Sequence, residues 1–271
     1  MLKFVSFLKK NNDIPFVVKR RVFDAALMSS ILYGCESWIN ADLRPMIKLY
    51  NWAIKELLGV RITTCNDLCY LEIGYPPLKD LVLAKQRKFF QRMWTDRSNM
   101  TDDPLVHAIR IVRNSQFRTG KYITGLIDDN MDDVMMAREM IKSNVRESGS
   151  SKRCFYRMLN PELEVHEVYK TKELINEYHR VSFTRFRLSA HSLAIETGRW
   201  KSQGRRALPP KERVCICGGD VQTERHVVED CHLTQGVRLK YQFTTLHHLF
   251  SGFLDNKDIC QAIHDILCVF R

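Results

Sequence analysis

No apolar run in this 271-residue chain approaches the ~20 residues that a helix needs to cross a bilayer. The opening Met1-Leu-Lys-Phe-Val-Ser-Phe-Leu-Lys-Lys-Asn-Asn is too short and too interrupted by charge for a signal peptide. Together these absences exclude a membrane-spanning protein and lead to the expectation of a soluble one. Internal repeats and low-complexity tracts are also missing, so the chain reads as one large domain or two small ones, with ample apolar residues for a core. Its nine cysteines are an odd number without a secretory leader, which argues against a disulfide scaffold and for a reducing, intracellular compartment. Acidic residues are in deficit: 31 Asp and Glu face 42 Lys and Arg, a formal charge of +11 that suits a polyanionic partner. Ser, Cys and His form no recognisable nucleophile set.

What is present is concentrated near the C-terminus. Cys215-Ile-Cys217-Gly-Gly is followed by His226 and Cys231, one Cys₃His set. Zinc takes four thiolate or imidazole ligands tetrahedrally, so a site supplying all four is closed and structural rather than catalytic. The Cys-x-Cys spacing is tighter than the usual one. Gly218 and Gly219 supply the backbone freedom of a tight turn, and Thr223 to Val228 can form a helical turn that brings His226 near Cys231. The alternative is four residues of ordinary structural role. Cys35, Cys65, Cys69, Cys154, Cys260 and Cys268 are scattered among apolar residues and read as small core hydrophobes.

Upstream of the cluster lies the densest basic stretch. Between Arg180 and Arg213 stand nine Lys and Arg against Glu196 and Glu212, interleaved with Phe183, Phe186 and Trp200. Guanidinium groups neutralise phosphates while aromatic faces stack bases, a mixture suited to single-stranded or structured nucleic acid. A solvated helix face with its aromatics turned into a core is the competing reading.

Periodicity makes the chain mainly α. Helical stripes run from Val22 to Ile39, from about Asp42 to Leu58 with Gly59 as its stop, over a short segment after Asn66, and from Leu78 to Trp94. A polar connector spans Thr95 to Pro104. Helices resume at Leu105 to Arg113, Asp132 to Arg146 and Glu173 to about Glu196, and Ser148-Gly-Ser-Ser-Lys reads as a flexible joint. Leu239 to Phe250 and Asn256 to Phe270 read as two packing helices.

Two segments carry a resemblance. Tyr33-Gly34-Cys35-Glu36-Ser37-Trp38 resembles the Tyr-Gly-x-Glu-x-Trp signature that follows the palm in reverse transcriptases of non-LTR (LINE-type) retrotransposons. Ile54 to Val60 and Leu71 to Leu78 are similar to the helical thumb of that family. Arg187-Leu-Ser-Ala-His191 through Gly198-Arg199-Trp200, leading to Cys215, Cys217, His226 and Cys231, looks like its C-terminal zinc-finger segment. The stretch from about Thr95 to Asn176 corresponds by position only. In the family, the paired catalytic aspartates precede the Tyr-Gly-x-Glu-x-Trp segment, and only about thirty residues precede Tyr33 here. Asn130-Met131-Asp132-Asp133 resembles a Tyr-x-Asp-Asp box, whose carboxylates would hold two Mg²⁺. It stands after the thumb-like segment, however, and reads as an ordinary helix start.

The resemblance implies a thumb-like helical segment over 1–97, a helical linker over 98–179, a basic segment and zinc finger over 180–235, and packing helices over 236–271. Its expected role is to bind RNA or DNA without polymerising, in the nucleus and cytoplasm. Structural zinc would be held by Cys215, Cys217, His226 and Cys231. Nucleic acid would meet Arg185, Arg187, Arg199, Trp200, Arg205, Arg206, Lys211 and Arg213. The alternative is a host-retained zinc-finger module that docks a protein partner through its C-terminal helices, which would require an exposed patch among Phe243, Leu246, Leu249, Phe250 and Phe253.

Overall fold

The computed structural model describes residues 2–97, 103–115, 117–200 and 206–270, and the fold among them is mainly helical. No strand forms among the described residues; Val214 and Val221 make one isolated antiparallel bridge. No described helix is long and apolar enough to cross a membrane.

The N-terminal part comprises α1 (Leu2–Lys10), α2 (Phe16–Val22), a π-helical turn over Phe23–Met28, α3 (Ser29–Ile31), α4 (Arg44–Leu58), α5 (Asn66–Ile73) and α6 (Leu78–Arg97). The helix expected over Val22 to Ile39 therefore ends at Ile31. Gly34 adopts φ 64°, a left-handed turn that α-helix cannot continue through, and a short 3₁₀ turn at Cys35–Ser37 follows. Within this turn Tyr33 is exposed and Cys35 is buried, and Gln86 donates to the Cys35 carbonyl at 3.0 Å. Helix α4 begins just after Asp42, whose Oδ1 accepts from the Arg44 N–H at 3.0 Å, and carries Pro45 in its first turn. Gly59 stops it at φ 72°, and a Cβ there would stand 2.7 Å from the Val181 side chain. Glycine thus serves both the turn and a close approach of distant chain.

The middle part comprises α7 (Pro104–Arg113), α8 (Arg118–Asp128), α9 (Asp133–Glu147) and α10 (Ser151–Leu159). Part of the expected connector, residues 98–102, lies outside the described residues. Helices α8 and α10 were not expected. Helix α8 carries two glycines and two threonines, weak helix formers, although its apolar Ile123 and Leu126 share a buried face. Ser148 to Ser150, expected as a flexible joint, form a short turn bridged by hydrogen bonds from Arg153 and Arg157 to carbonyls at the end of α9. Asp132 caps α9 by accepting from the Val134 and Met135 N–H groups, and Asp133 is buried against Arg87 at 2.8 Å. The aspartate pair is thus occupied structurally.

The C-terminal part comprises α11 (Glu177–Arg187), α12 (Ala194–Thr197), α13 (Glu224–Glu229), α14 (Gln235–Tyr241), α15 (Leu246–Phe250) and α16 (Asn256–Cys268). The helix expected through Glu196 breaks after Arg187, where Ser189 turns to φ 47°. Helix α11 is the pivot of the molecule. It packs along α16, and its Phe183 and Phe186 are fully buried and stack on Phe250.

One apolar cluster runs through the chain, from Phe4, Phe23, Tyr50 and Leu57 through Tyr156 and Tyr169 to Phe186, Val227 and Ile263. It draws on all four of the segments distinguished in the sequence. A smaller cluster of Phe90, Ile123 and Leu126 sits between α6 and α8. Inside the main core, Arg187 and Glu72 form a buried ion pair. The Arg187 Nε donates to Oε1 at 2.7 Å and Nη2 to Oε2 at 3.0 Å, while Tyr169 and Tyr156 donate their hydroxyls to the same oxygens. Burial pushes the Glu72 carboxyl up, but the guanidinium and the phenols outweigh it and hold the group below the usual carboxylate range. This network ties α5 to α11 and α10 across the core.

Candidate metal centre and basic rim

The residues around the Cys₃His set fold locally in a way that follows from their sequence. Val214 and Val221 bridge the two arms of a short hairpin, with Cys215 N–H donating to the Asp220 carbonyl at 2.7 Å and Gly218 N–H to the Cys215 carbonyl at 2.9 Å. Gly218 takes φ 79°, the left-handed geometry that lets both cysteines face one side of the turn. Thr223 caps α13 by accepting from the His226 N–H at 3.1 Å, and the Cys231 N–H closes onto the His226 carbonyl at 2.8 Å.

The outcome is a compact donor set. The Sγ atoms of Cys215, Cys217 and Cys231 and one ring nitrogen of His226 all lie within 4.8 Å of one another, a group able to hold a metal ion. Cys215 Sγ and Cys231 Sγ are 3.9 Å apart, and Cys217 Sγ and His226 Nε2 are 3.2 Å apart. Tetrahedral zinc with its usual bond lengths would require about 3.8 Å between sulfurs and about 3.6 Å between sulfur and nitrogen, so small adjustments suffice. Cys215, His226 and Cys231 are buried and Cys217 is half-buried. The Gly219 N–H, with the neighbouring thiols and His226, lowers the Cys217 thiol to about 6, whereas burial raises Cys231 to about 11. The remaining cysteines stand apart from this set, as their scattered positions suggested.

The predicted nucleic-acid contacts divide. Arg187 is a correction: at 1% exposure and spent on Glu72, it cannot reach a phosphate. Arg213 is a second correction. It is buried, and its Nε, Nη1 and Nη2 donate to the carbonyls of Leu208 and Ile195, fixing the approach to the hairpin. Periodicity could not separate these two from their exposed neighbours, because their buried acceptors are remote in sequence or are backbone carbonyls. The aromatics Phe183 and Phe186 turn into the core, as the competing reading held. Arg205, together with Lys201, lies outside the described residues. Arg206 and Lys211 are exposed.

The others come together with a residue that sequence reasoning missed. Arg185 is exposed and donates from Nε to the Gly59 carbonyl at 2.7 Å. In the same loop, the Arg61 guanidinium lies over the half-exposed Trp200 ring at 4.3 Å. Arg199, next in chain to Trp200, reaches Glu196 at 3.0 Å and the Ser151 hydroxyl at 3.0 Å, beside Lys152. Arg185, held on the Gly59 carbonyl, and Arg61, two residues further along that loop and stacked on Trp200 beside Arg199, therefore share one rim. The rim adjoins the metal hairpin, because Arg213 hydrogen-bonds to Ile195 and His191 holds Glu224 of α13 at 2.9 Å.

The patch expected among the C-terminal aromatics and leucines does not form among the described residues. Phe243, Leu246 and Leu249 are buried, Phe250 is half-buried, and Phe253 alone of that group is exposed.

No family model, curated protein or solved structure matches this chain.

Proposed function

We propose that this chain is a nucleic-acid-binding helical module whose C-terminal part is organised by a structural zinc ion. In this reading it corresponds to the thumb, linker and zinc finger of a non-LTR retrotransposon reverse transcriptase. The observation that carries the binding role is the rim of Arg61, Arg185, Trp200 and Arg199, assembled from distant segments beside the Cys₃His cluster. Three soft thiolates and an imidazole at tetrahedral separations suit zinc. Zinc there would supply no chemistry to a substrate; it would fix the short segment from Cys215 to Cys231 and so hold the rim against the core. The exposed Trp200 ring, held by the Arg61 guanidinium, offers a flat face suited to a base, and Arg185, Arg199 and Arg206 supply charge for phosphates. Asp132 caps α9 and Asp133 pairs with Arg87, which supports reading the chain as a binding module rather than a polymerase.

Charge reversal tests the reading. Arg185→Glu combined with Arg206→Glu, both at exposed positions, should weaken binding to single-stranded RNA by at least about tenfold with the fold retained. Unaltered affinity would remove the rim from the interface.

A second reading, a protein-interaction module, is favoured by a different surface from the one anticipated. Met135, Met136 and Met140 of α9 are 62%, 47% and 64% exposed, the soft, adaptable kind of side chain found on partner-binding helices. If that face serves a partner, Met136→Lys with Met140→Lys would abolish complex formation and leave RNA affinity intact.

A further inference from the structure

Helix α9 is docked on one side only. Ala137, Ile141 and Val145 are buried, and the helix packs on α5, α6 and α10. The solvent face of such a helix is ordinarily charged or polar. Here it carries Met135, Met136 and Met140, all exposed, with Met131 exposed just ahead of the helix. The thioether side chain is flexible and polarisable, and it adapts to apolar partners of varied shape. The charges among these methionines are mostly of one sign. At helical spacing Asp132 stands one turn before Met135 and Met136, Glu139 one turn after them, and Glu147 two turns after Met140. All three carboxylates are exposed, with Arg146 as the exposed cation of the helix. Arg138 and Lys142 turn to Glu164 instead, and Lys142 comes no nearer to Glu139 than 3.5 Å. Asp132 accepts from backbone N–H groups and Glu147 from the Ser143 hydroxyl, neutral donors that leave both negative charges in place. In a chain of net charge +11, the sign of this face is inverted.

We propose that this face docks a basic amphipathic helix of a protein partner, with its apolar stripe on Met135, Met136 and Met140 and its Lys or Arg side chains on Asp132, Glu139 and Glu147. The assignment rests on the protein-interaction reading above and names the chemistry of the partner. A nucleic-acid strand is repelled by the three carboxylates, so this face and the basic rim serve different partners. An acidic helix meets the same repulsion, and a neutral one gains nothing from the charges. A basic amphipathic helix matches both features: apolar anchors at helical spacing meet the thioethers, and cations meet the carboxylates, which speeds encounter and fixes orientation.

The experiment uses the zinc-loaded full chain labelled with ¹³C-methyl methionine, and two synthetic peptides of about 18 residues, beyond the length at which isolated helices are marginal. One peptide sets a leucine stripe against lysines; the other keeps the stripe and carries glutamate in place of every lysine. The lysine peptide should shift the methyl signals of Met135, Met136 and Met140 and bind at least about tenfold more tightly than the glutamate peptide. Met136→Lys with Met140→Lys should weaken it about tenfold or more. Glu139→Gln with Glu147→Gln keeps the methionines and should weaken it about threefold or more at low salt, which tests the charges on their own should the first pair unfold. If the glutamate peptide binds the same methionines equally well, the basic partner is overturned while the protein-interaction reading stands. If neither peptide moves these signals, the proposal and that reading fall together. Methyl signals that shift with protein concentration alone would make a second copy of the chain the occupant and overturn the assignment.

Discussion

Replacing Arg187 by methionine separates a structural arginine from a binding one. Arg187 and Glu72 are 1% and 0% exposed, and the guanidinium makes two of the four hydrogen bonds that the Glu72 carboxylate accepts. Arg187→Met removes the charge and leaves Glu72 buried with only the phenols of Tyr156 and Tyr169. Breaking one side of a buried pair costs about 3–5 kcal/mol, because the remaining charge is desolvated without compensation. Against a typical stability of about 5–15 kcal/mol the loss is large, and it should lower the urea midpoint by roughly 1–2 M at pH 7. The pH dependence should also change sign. In the wild type the Glu72 carboxyl is held low, so its contribution is present above its unfolded value and is lost as pH falls. Without Arg187, burial dominates and raises the group above its unfolded value, so the variant should gain relative stability on mild acidification. Glu72→Leu combined with Arg187→Met should be much less damaging than the sum of the single changes. Urea melts followed by circular dichroism provide all of these numbers. A single-variant loss below about 1 kcal/mol with additive behaviour in the pair would refute the buried-network account.

Metal analysis of protein purified without chelator should give one zinc per chain, and Cys215→Ser should abolish it with a large loss of stability, since structural zinc contributes on the order of 10 kcal/mol in comparable peptides. The His166 imidazole, lowered to about 4 by burial and by Arg187, is neutral in the fold, and the unfolded chain takes up a proton below about 6.5. Stability should therefore fall between about pH 6.5 and 4, by up to roughly 3 kcal/mol, in urea melts across that range; His166→Gln should flatten the slope. Gly59→Ala should destabilise by at least about 1 kcal/mol, because it forces a left-handed residue and places Cβ 2.7 Å from Val181; an unchanged melting temperature would contradict that packing. Trp200→Ala should weaken single-stranded RNA binding about five- to tenfold with little change in stability, measured by fluorescence anisotropy.

The sequence made some of this legible and hid the rest for identifiable reasons. The mainly α architecture was readable because helices such as α4 and α9 carry periodic apolar residues and defined ends. The metal set was readable because its residues lie within one short window and its glycines mark the turn. The basic stretch was read only as composition. Which arginines point outward depends on acceptors that composition does not show: the distant Glu72 for Arg187, the distant Leu57 and Leu58 carbonyls for Arg180, and the nearby Leu208 backbone carbonyl for Arg213. One clue to the first of these was Glu72 itself, an acidic residue between Leu71 and Ile73 in an otherwise apolar turn. Arg61 carried no signal, because its stack on Trp200 exists only after the loop beyond α4 meets the end of α12. Glu196 showed itself as an acidic residue in a basic stretch, but its burial beneath Lys152 required the packing of α10, a helix that the sequence reading had missed.

The most direct measurement of the central claim is the salt dependence of single-stranded RNA affinity for the zinc-loaded chain. With Arg185, Arg199 and Arg206 on phosphates, the logarithm of the association constant should fall against the logarithm of salt concentration with a slope near −2, at about −0.7 per contact. It should become shallower by about one contact on Arg199→Ala. Binding that is absent, or that stays constant as salt rises, would contradict the assignment of this chain to nucleic acid.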